Sequence, residues 1–368
     1  MAVGSFPQIF RGTLNYIDPR QKALWHLDKL LELKTRGKTT APVNVEIDLS
    51  NRCSRGCVWC HFAHTHTKGP LATRPKVEGR IAGGDLMETS FAFRILWELS
   101  RAGVQSVTFT GGGEPTLHPD FSDIVKSAAN YGLSVGLYTH GGHIDDEMAA
   151  LLKHYCTWVY VSLDECTPAD YQRSKGVDGY APVVAGIGRL RMAEGKAVVG
   201  VGFLLHEGNY RKSREMVELG RGLGADYVQF RPTIHTDPQE PGKLAENTGW
   251  MKAAIDWLQP HSADPFVSLD LPRFADYQNW QGHGYTTCHW SGLQTVITPN
   301  GMVWRCVNKR EQPGALLGDL TKELFADIWE RAGGACTVDS QCRVLCRGHI
   351  ANQTIDAVMS EPLHSNFI

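Results

Sequence analysis

The chain has 368 residues, 42% hydrophobic and 21% charged, with Lys plus Arg (37) nearly matching Asp plus Glu (39). This composition excludes a disordered chain, and the charge balance removes the basic excess that a nucleic-acid-binding surface needs. The first 20 residues lack a signal-peptide core and no apolar run is long enough to span a bilayer, so a cytoplasmic protein with no membrane partner is expected.

In chain order, residues 21–36 place Leu24, Leu27, Leu30 and Leu31 along one face of an amphipathic helix. Residues 43–49 alternate like a first strand. Helices are then expected at 89–102, 120–131, 145–153, 183–193, 210–223 and 250–258. Between them lie strands at 106–110, 134–138, 158–163, 197–205 and 227–230. Six strands alternating with helices at this spacing argue for a parallel sheet covered by helices. Six units are too few for a closed eight-stranded barrel, so an open sheet and a partial barrel both fit. The polar and glycine-rich residues gather at the C-terminal strand ends, the edge where such folds bind ligands.

Beyond about residue 260 the pattern changes to short strands at 266–271, 293–298 and 302–305, with a turn signal at Pro299-Asn300-Gly301. The division expected is an N-terminal helical extension (1–42), an α/β core (43–259) and a small loop-rich domain (260–368).

Ten cysteines are too many for chance in a chain from a reducing compartment, and their distribution is uneven: three by residue 60 and five from Cys288 onward. Cys53, Cys57 and Cys60 follow the first strand directly. Three thiolates in eight residues can wrap one face of a metal centre. An iron–sulfur cubane left one ligand short and a zinc site completed by His61, His64 or His66 both fit this spacing. The same histidines equally suit a pocket wall or solvent.

The Cys-x3-Cys-x2-Cys spacing, with Trp59 before its third cysteine, resembles the signature of the radical S-adenosylmethionine (radical SAM) superfamily. Gly111-Gly112-Gly113-Glu114 at the end of the second strand resembles that family's glycine–glycine–glutamate motif. Ser162-Leu163-Asp164 resembles its fourth-strand segment, and Thr139-His140-Gly141 stands where relatives commonly carry Thr-Asn-Gly. The resemblance covers about residues 43–232. It implies a (βα)6 partial TIM barrel holding a [4Fe–4S] cluster on Cys53, Cys57 and Cys60, with one iron left for S-adenosylmethionine. It further implies cofactor contacts from Trp59, Gly112, Gly113, Glu114, Ser162, Asp164 and Arg173, and a flavodoxin- or ferredoxin-type electron donor. One-electron reduction then yields a 5′-deoxyadenosyl radical that takes hydrogen from a substrate.

The late cysteines resemble those of the auxiliary-cluster domains called SPASM and twitch. Cys288, the stretch Gly301-x4-Cys306, and Cys336-x5-Cys342-x3-Cys346 carry the likeness, but Gly333 stands where a further cysteine belongs. The resemblance implies one auxiliary [4Fe–4S] cluster on Cys288, Cys306, Cys342 and Cys346, with Cys336 the alternate. Zinc, or thiols packed as small hydrophobes, is the plain alternative.

The reaction expected is hydrogen abstraction from a small polar metabolite (a sugar, aminocyclitol or nucleoside), leading to dehydrogenation, dehydration, decarboxylation or epimerisation. Two residues near the active edge are catalytic candidates: His140 as an acid or base, and Cys166 as a hydrogen-atom donor. Each also has a structural reading, a hydrogen-bonded histidine and a packed thiol. Arg231, Trp290 and Trp304 suit either a substrate face or the core. A peptide maturase of the SPASM type is the first alternative, set lower because only about 42 residues precede the first strand. A non-catalytic metal-binding protein is the second. A cobalamin-dependent reaction is disfavoured, with no segment of the chain left for a cobalamin domain.

Overall fold

A computed structural model describes residues 19–73, 80–233, 249–344 and 346–360. Its strands are β1 (Asn44–Asp48), β2 (Ser106–Thr110), β3 (Ser134–Thr139), β4 (Trp158–Ser162), β5 (Val198–Leu205) and β6 (Tyr227–Pro232). They continue with β7 (Val267–Leu269), β8 (Thr287–Cys288), β9 (Gln294–Ile297), β10 (Met302–Trp304), β11 (Leu316–Asp319) and β12 (Cys336–Thr337). Strands β1 to β6 pair in sequence order and in parallel, as right-handed βαβ units require.

The sheet does not stop at six strands. It has ten, in the order β11-β10-β9-β1-β2-β3-β4-β5-β6-β7. Strand β7 joins β6 in parallel, and β9 joins β1 in parallel before turning back through β10 and β11. Segments 266–271 and 293–305, which sequence pattern sets apart as short strands, thus extend both edges of the main sheet.

Period-two alternation decides the two faces. Val45, Ile47, Val107, Phe109, Val135, Leu137, Val159 and Val161 point outward into one continuous core beneath the helices. The opposite face carries Asn44, Glu46, Ser106, Thr108, Tyr138 and Arg231, which share one cavity of about 590 Å³. Side chains from β1, β2, β3 and β6 meet there because the sheet is curled into a partial barrel rather than open and flat. Aromatic side chains crowd the same interior: Tyr138 stacks edge-on against Trp158 and Tyr160, with ring centroids 4.9 and 5.0 Å apart. They fit because the neighbouring strand β5 offers glycines. A methyl at Gly200 would run into the Tyr227 ring, and one at Gly202 into the Tyr160 phenol.

The N-terminal helix divides into Pro19–Trp25 and Leu27–Arg36. The break at His26 turns the expected leucine face: Ala23, Leu30 and Leu33 are buried against Leu293, Ala351 and Ile355. Leu27 and Leu31 are 65% and 62% exposed. Trp304, for which the sequence allows either a substrate face or the core, is buried completely, its indole N–H donating to Thr298 Oγ1 at 2.9 Å. Among the described residues no helix is long and apolar enough to cross a membrane.

Gly202→Ala should lower unfolding stability by about 1–3 kcal/mol through overpacking against Tyr160. Gly188→Ala, where an added methyl meets open space on the helix Tyr180–Met192, should cost nothing or stabilise slightly. Urea unfolding of the two variants side by side makes the comparison.

Candidate active site

Strand β1 ends at Asp48, and the cysteine loop leaves from there. The backbone N–H groups of Gly56 and Val58 donate to the carbonyls of Lys175 and Ser174 at 2.7 and 3.0 Å, and Cys53 N–H donates to Lys68 O at 3.1 Å. The loop is therefore anchored to the C-terminal end of the helix Pro168–Lys175, which hydrophobic periodicity does not mark although Thr167 caps it and Pro168 opens it. Cys53, Cys57 and Cys60 are all partly buried free thiols. Burial pushes the Cys53 thiol up to about 12, with the charges of Glu114, Cys57 and Cys60 adding to it. Three partly buried cysteine sulfurs on one loop are a donor set suited to a cationic iron centre, which holds thiolates in their charged form.

The glycines after β2 form the other wall. A methyl on Gly112 would collide with the Asn51 and Thr65 side chains, and one on Gly113 with the backbone of Arg52. Gly113 N–H donates to Ser50 O at 3.0 Å and Glu114 N–H to Arg52 O at 2.8 Å. Close approach to the cysteine loop itself thus requires glycine here, in addition to any approach by a ligand.

Glu114 is buried, and its carboxylate is held by the protein's own donors. Oε1 accepts from Thr116 Oγ1 at 2.7 Å and Thr139 Oγ1 at 2.6 Å, and Oε2 accepts from His140 N–H at 2.8 Å. Burial alone would raise this carboxyl, but His140 and these hydrogen bonds bring it below the ordinary value. His140 is 7% exposed. Gly142 N–H donates to its Nδ1 at 3.0 Å, so Nδ1 is the acceptor and Nε2 carries the proton. Nε2 lies 3.1 Å from Ser54 Oγ, between the first two cysteines, and 3.5 Å from Glu114 Oε2. Burial depresses the imidazole to about 4, against the opposing pull of Glu114. Arg55, buried inside the cysteine motif, donates to Tyr171 Oη at 3.0 Å and to Ser54 Oγ at 3.2 Å.

At the end of β4, Ser162 is half-buried opposite Gly202. Asp164 takes a left-handed backbone, φ 65°, which aspartate tolerates better than most residues. One of its oxygens accepts from Leu204 N–H at 2.9 Å and the other pairs with Lys175. Both Asp164 and Lys175 are buried, and Lys175 is raised: burial works against its charge, but Asp164 and Cys57 more than offset it. Lys175 Nζ lies 5.7 Å from the Trp59 ring, whose other neighbour is the His206 imidazole at 5.3 Å. Trp59, Arg173, His206 and Lys212 line a smaller cleft of about 230 Å³ together with Glu165 and Asp170, which pair with His206 and with Arg173 and Lys212. Arg173 is exposed and pairs with Asp170. Cys166 is partly buried against the core, and burial pushes its thiol up to about 11. Sequence pattern singles out neither Lys175 nor Arg55; the position of Arg55 inside the cysteine motif is the signal that could find it.

The late cysteines are linked in pairs. Cys288 and Cys336 are directly opposite in the β8–β12 ladder. Each of Cys288 and Cys306 also lies within electrostatic reach of Cys346, and Cys306 of Cys342. Cys336 is held down by the hydrogen bond from the Cys288 thiol, while burial pushes Cys306 up to about 12. Two residues beside this group, Trp290 and Arg347, line the barrel cavity.

The sequence profile of the radical SAM superfamily matches residues 47–220. The chain is 27% identical to the PqqA peptide cyclase of Gluconobacter oxydans over 302 residues, which covers 78% of this chain and 76% of that protein. It is 30% identical to the mycofactocin maturase MftC of Mycobacterium ulcerans over 301 residues, 79% of this chain and 75% of the relative. Among solved structures, SuiB of Streptococcus suis bound to the precursor peptide SuiA superposes with a TM-score of 0.60. That match covers 89% of this chain and 73% of SuiB at 15% identity, a likeness of fold.

The buried, neutral His140 has a measurable consequence. Its folded value of about 4 lies below the ordinary 6.5, so between these pH values the unfolded chain binds a proton that the folded chain does not. Stability should fall as pH drops from 6.5 toward 4. In His140→Asn this part of the fall should vanish, as urea titrations at pH 7 and pH 5 would register.

Proposed function

Because the chain belongs to the radical SAM superfamily, with a C-terminal region of the SPASM/twitch type, we propose that it is an enzyme that modifies a peptide. The expected small polar metabolite is thereby corrected. The relatives similar over about three quarters of their own length are a peptide cyclase and a maturase, and the fold matches a structure bound to a precursor peptide. The observation that carries the reading is that this similarity spans 78% of the chain and 76% of the relative, more than the barrel alone accounts for.

S-adenosylmethionine and a [4Fe–4S] cluster go with the family, and together they supply, when bound, a 5′-deoxyadenosyl radical able to abstract hydrogen from an unactivated C–H bond. The residues proposed to hold that cluster are Cys53, Cys57 and Cys60. Gly112 and Gly113 set the distance between the cysteine loop and the β2 edge. Glu114 and the Asp164–Lys175 pair are proposed to fix the cofactor-binding edge from beneath. The protein's own donors occupy their carboxylates, so backbone groups and Ser162 are the free partners there. Trp59 and Arg173 are proposed as contacts along the smaller cleft. We read His140 as a positioning residue: neutral, with Nδ1 taken by Gly142, it ties Ser54 to Glu114. Cys166 supplies no part of this reading.

Cys288, Cys306, Cys342 and Cys346, with Cys336 as the alternate, are proposed to hold one auxiliary [4Fe–4S] cluster. Their common donor chemistry and mutual proximity support it. A flavodoxin- or ferredoxin-type protein is the proposed electron donor. The chain divides on this reading into residues 1–42, a barrel over 43–259 and an auxiliary-cluster region over 260–368.

Anaerobic reconstitution with iron and sulfide, then dithionite and S-adenosylmethionine, should release 5′-deoxyadenosine. Cys53→Ala should abolish that release, whereas Cys306→Ala should lower bound iron from about eight to about four atoms per chain while cleavage persists. Mass spectrometry of peptides encoded beside the gene should show a modification; a full set of unmodified peptides with active cofactor cleavage would remove the peptide reading.

A further inference from the structure

The barrel cavity has a charge imbalance. Among the described residues, its wall includes the basic side chains of Arg20, Lys22, Arg231, Arg273 and Arg347 but only two acidic ones, Glu46 and Asp270. Both acids are engaged, Glu46 through one of its two oxygens. Glu46 pairs with Arg347 across the interior, and Asp270 accepts from Arg273 N–H at 3.3 Å as the cap of the helix Leu271–Gln278.

Arg231 is the cation that β6 projects among the interior aromatics. One Nη donates to Tyr160 Oη at 2.8 Å, and the guanidinium lies 4.8 Å from the Tyr160 ring centroid and 6.0 Å from that of Tyr138. Its Nε is buried without a hydrogen-bond partner, and among the described residues no carboxylate pairs with it. The nearby Asp164 is committed to Lys175 and Leu204. An arginine cannot shed its proton, and a buried donor left unmatched is costly. Besides the N–H that donates to Tyr160, the guanidinium has an edge of two parallel N–H groups in the spacing of a carboxylate. Tyr160, itself seated over Gly202, holds that edge in place.

We infer that Arg231 reads a carboxylate of the substrate peptide inside the barrel, supplied by an acidic side chain or by the chain terminus. The inference rests on the peptide reading and deepens it by naming a specificity-determining residue and the chemistry that it selects. Trp158 and Tyr138, on the same wall, give the residue that bears the carboxylate an apolar bed.

The test uses the reconstituted holoenzyme with S-adenosylmethionine, anaerobic calorimetry, free glutarate as a small-molecule control, and three synthetic peptides. These are acetyl-Ala-Ala-Glu-Ala-Ala-amide, its Gln counterpart, and that Gln peptide with a free C-terminal carboxylate. The Glu probe, or the free-terminus probe if the terminus is the source, should bind at least about tenfold more tightly than the blocked Gln probe. Arg231→Gln should erase the difference, and Arg231→Lys, which keeps the charge but loses the fork, should restore part of it. The comparison of probes on the unaltered enzyme stands even if a variant fails to fold. Equal binding of all three peptides overturns the role of Arg231 and leaves the peptide reading intact. Glutarate binding that depends on Arg231, with no peptide bound, overturns the peptide reading and this inference with it.

Discussion

Asp48 ends β1 fully buried, and burial pushes its carboxyl up to about 6 even with the Arg310 guanidinium beside it. Arg310 is itself 1% exposed and lies 4.1 Å from the ring centroid of Phe62, two residues past Cys60. Removing one partner of such a pair strands a buried charge and costs about 3–5 kcal/mol. The pair joins residues 262 positions apart. It clamps the segment after Cys306 onto the strand from which the first cysteine loop departs. Glu46, two residues earlier on the same strand, makes a second such link to Arg347, next to Cys346. With β2 on one side and β9 on the other, β1 is the strand where the early and late parts of the chain meet. The relative placement of the two cysteine groups depends on it.

Around that strand the barrel edge is organised by charges matched inside the protein. Glu114, Asp164 and Asp48 are all buried carboxylates at strand ends, and each has its own answer: hydroxyls and a backbone N–H, a lysine, an arginine. Low dielectric makes such groups costly when unmatched and rigid when matched. Rigidity is what a site that generates a radical requires, since a loosely held edge admits water and stray hydrogen donors. The neutral His140 fits the same logic, because a charged imidazole there would face Arg55, His143 and Lys175.

Much of this is legible in the sequence wherever the interaction is local. Cys53, Cys57 and Cys60 share one loop, so their proximity follows from spacing alone. Outward-facing Val, Ile and Phe at period two declare the core face of each strand, and the six parallel βα units follow. Gly112 and Gly113 are recognisable as a motif, yet their packing reason lies in Asn51 and Arg52, which only the fold brings near. Periodicity misplaces the face of the first helix because the break at His26 changes the phase of a pattern that looks continuous. The motifs likewise mislead on substrate class, because they encode the radical source, which is common to the family, and not the occupant of the barrel.

Periodicity and cysteine spacing determined an α/β class with six parallel βα units and the existence of two cysteine groups, and the motif resemblance supplied the partial-barrel form, because each is written in residues close together in the chain. The tertiary structure alone decided that β9 to β11 complete the sheet beside β1 and that Cys336 stands opposite Cys288 in the β8–β12 ladder. It also decided that Arg231 stands in the barrel with no carboxylate paired to it among the described residues. Those facts depend on pairings across long stretches of chain, where the energy comes from burial and charge matching between segments whose sequences carry no mark of each other.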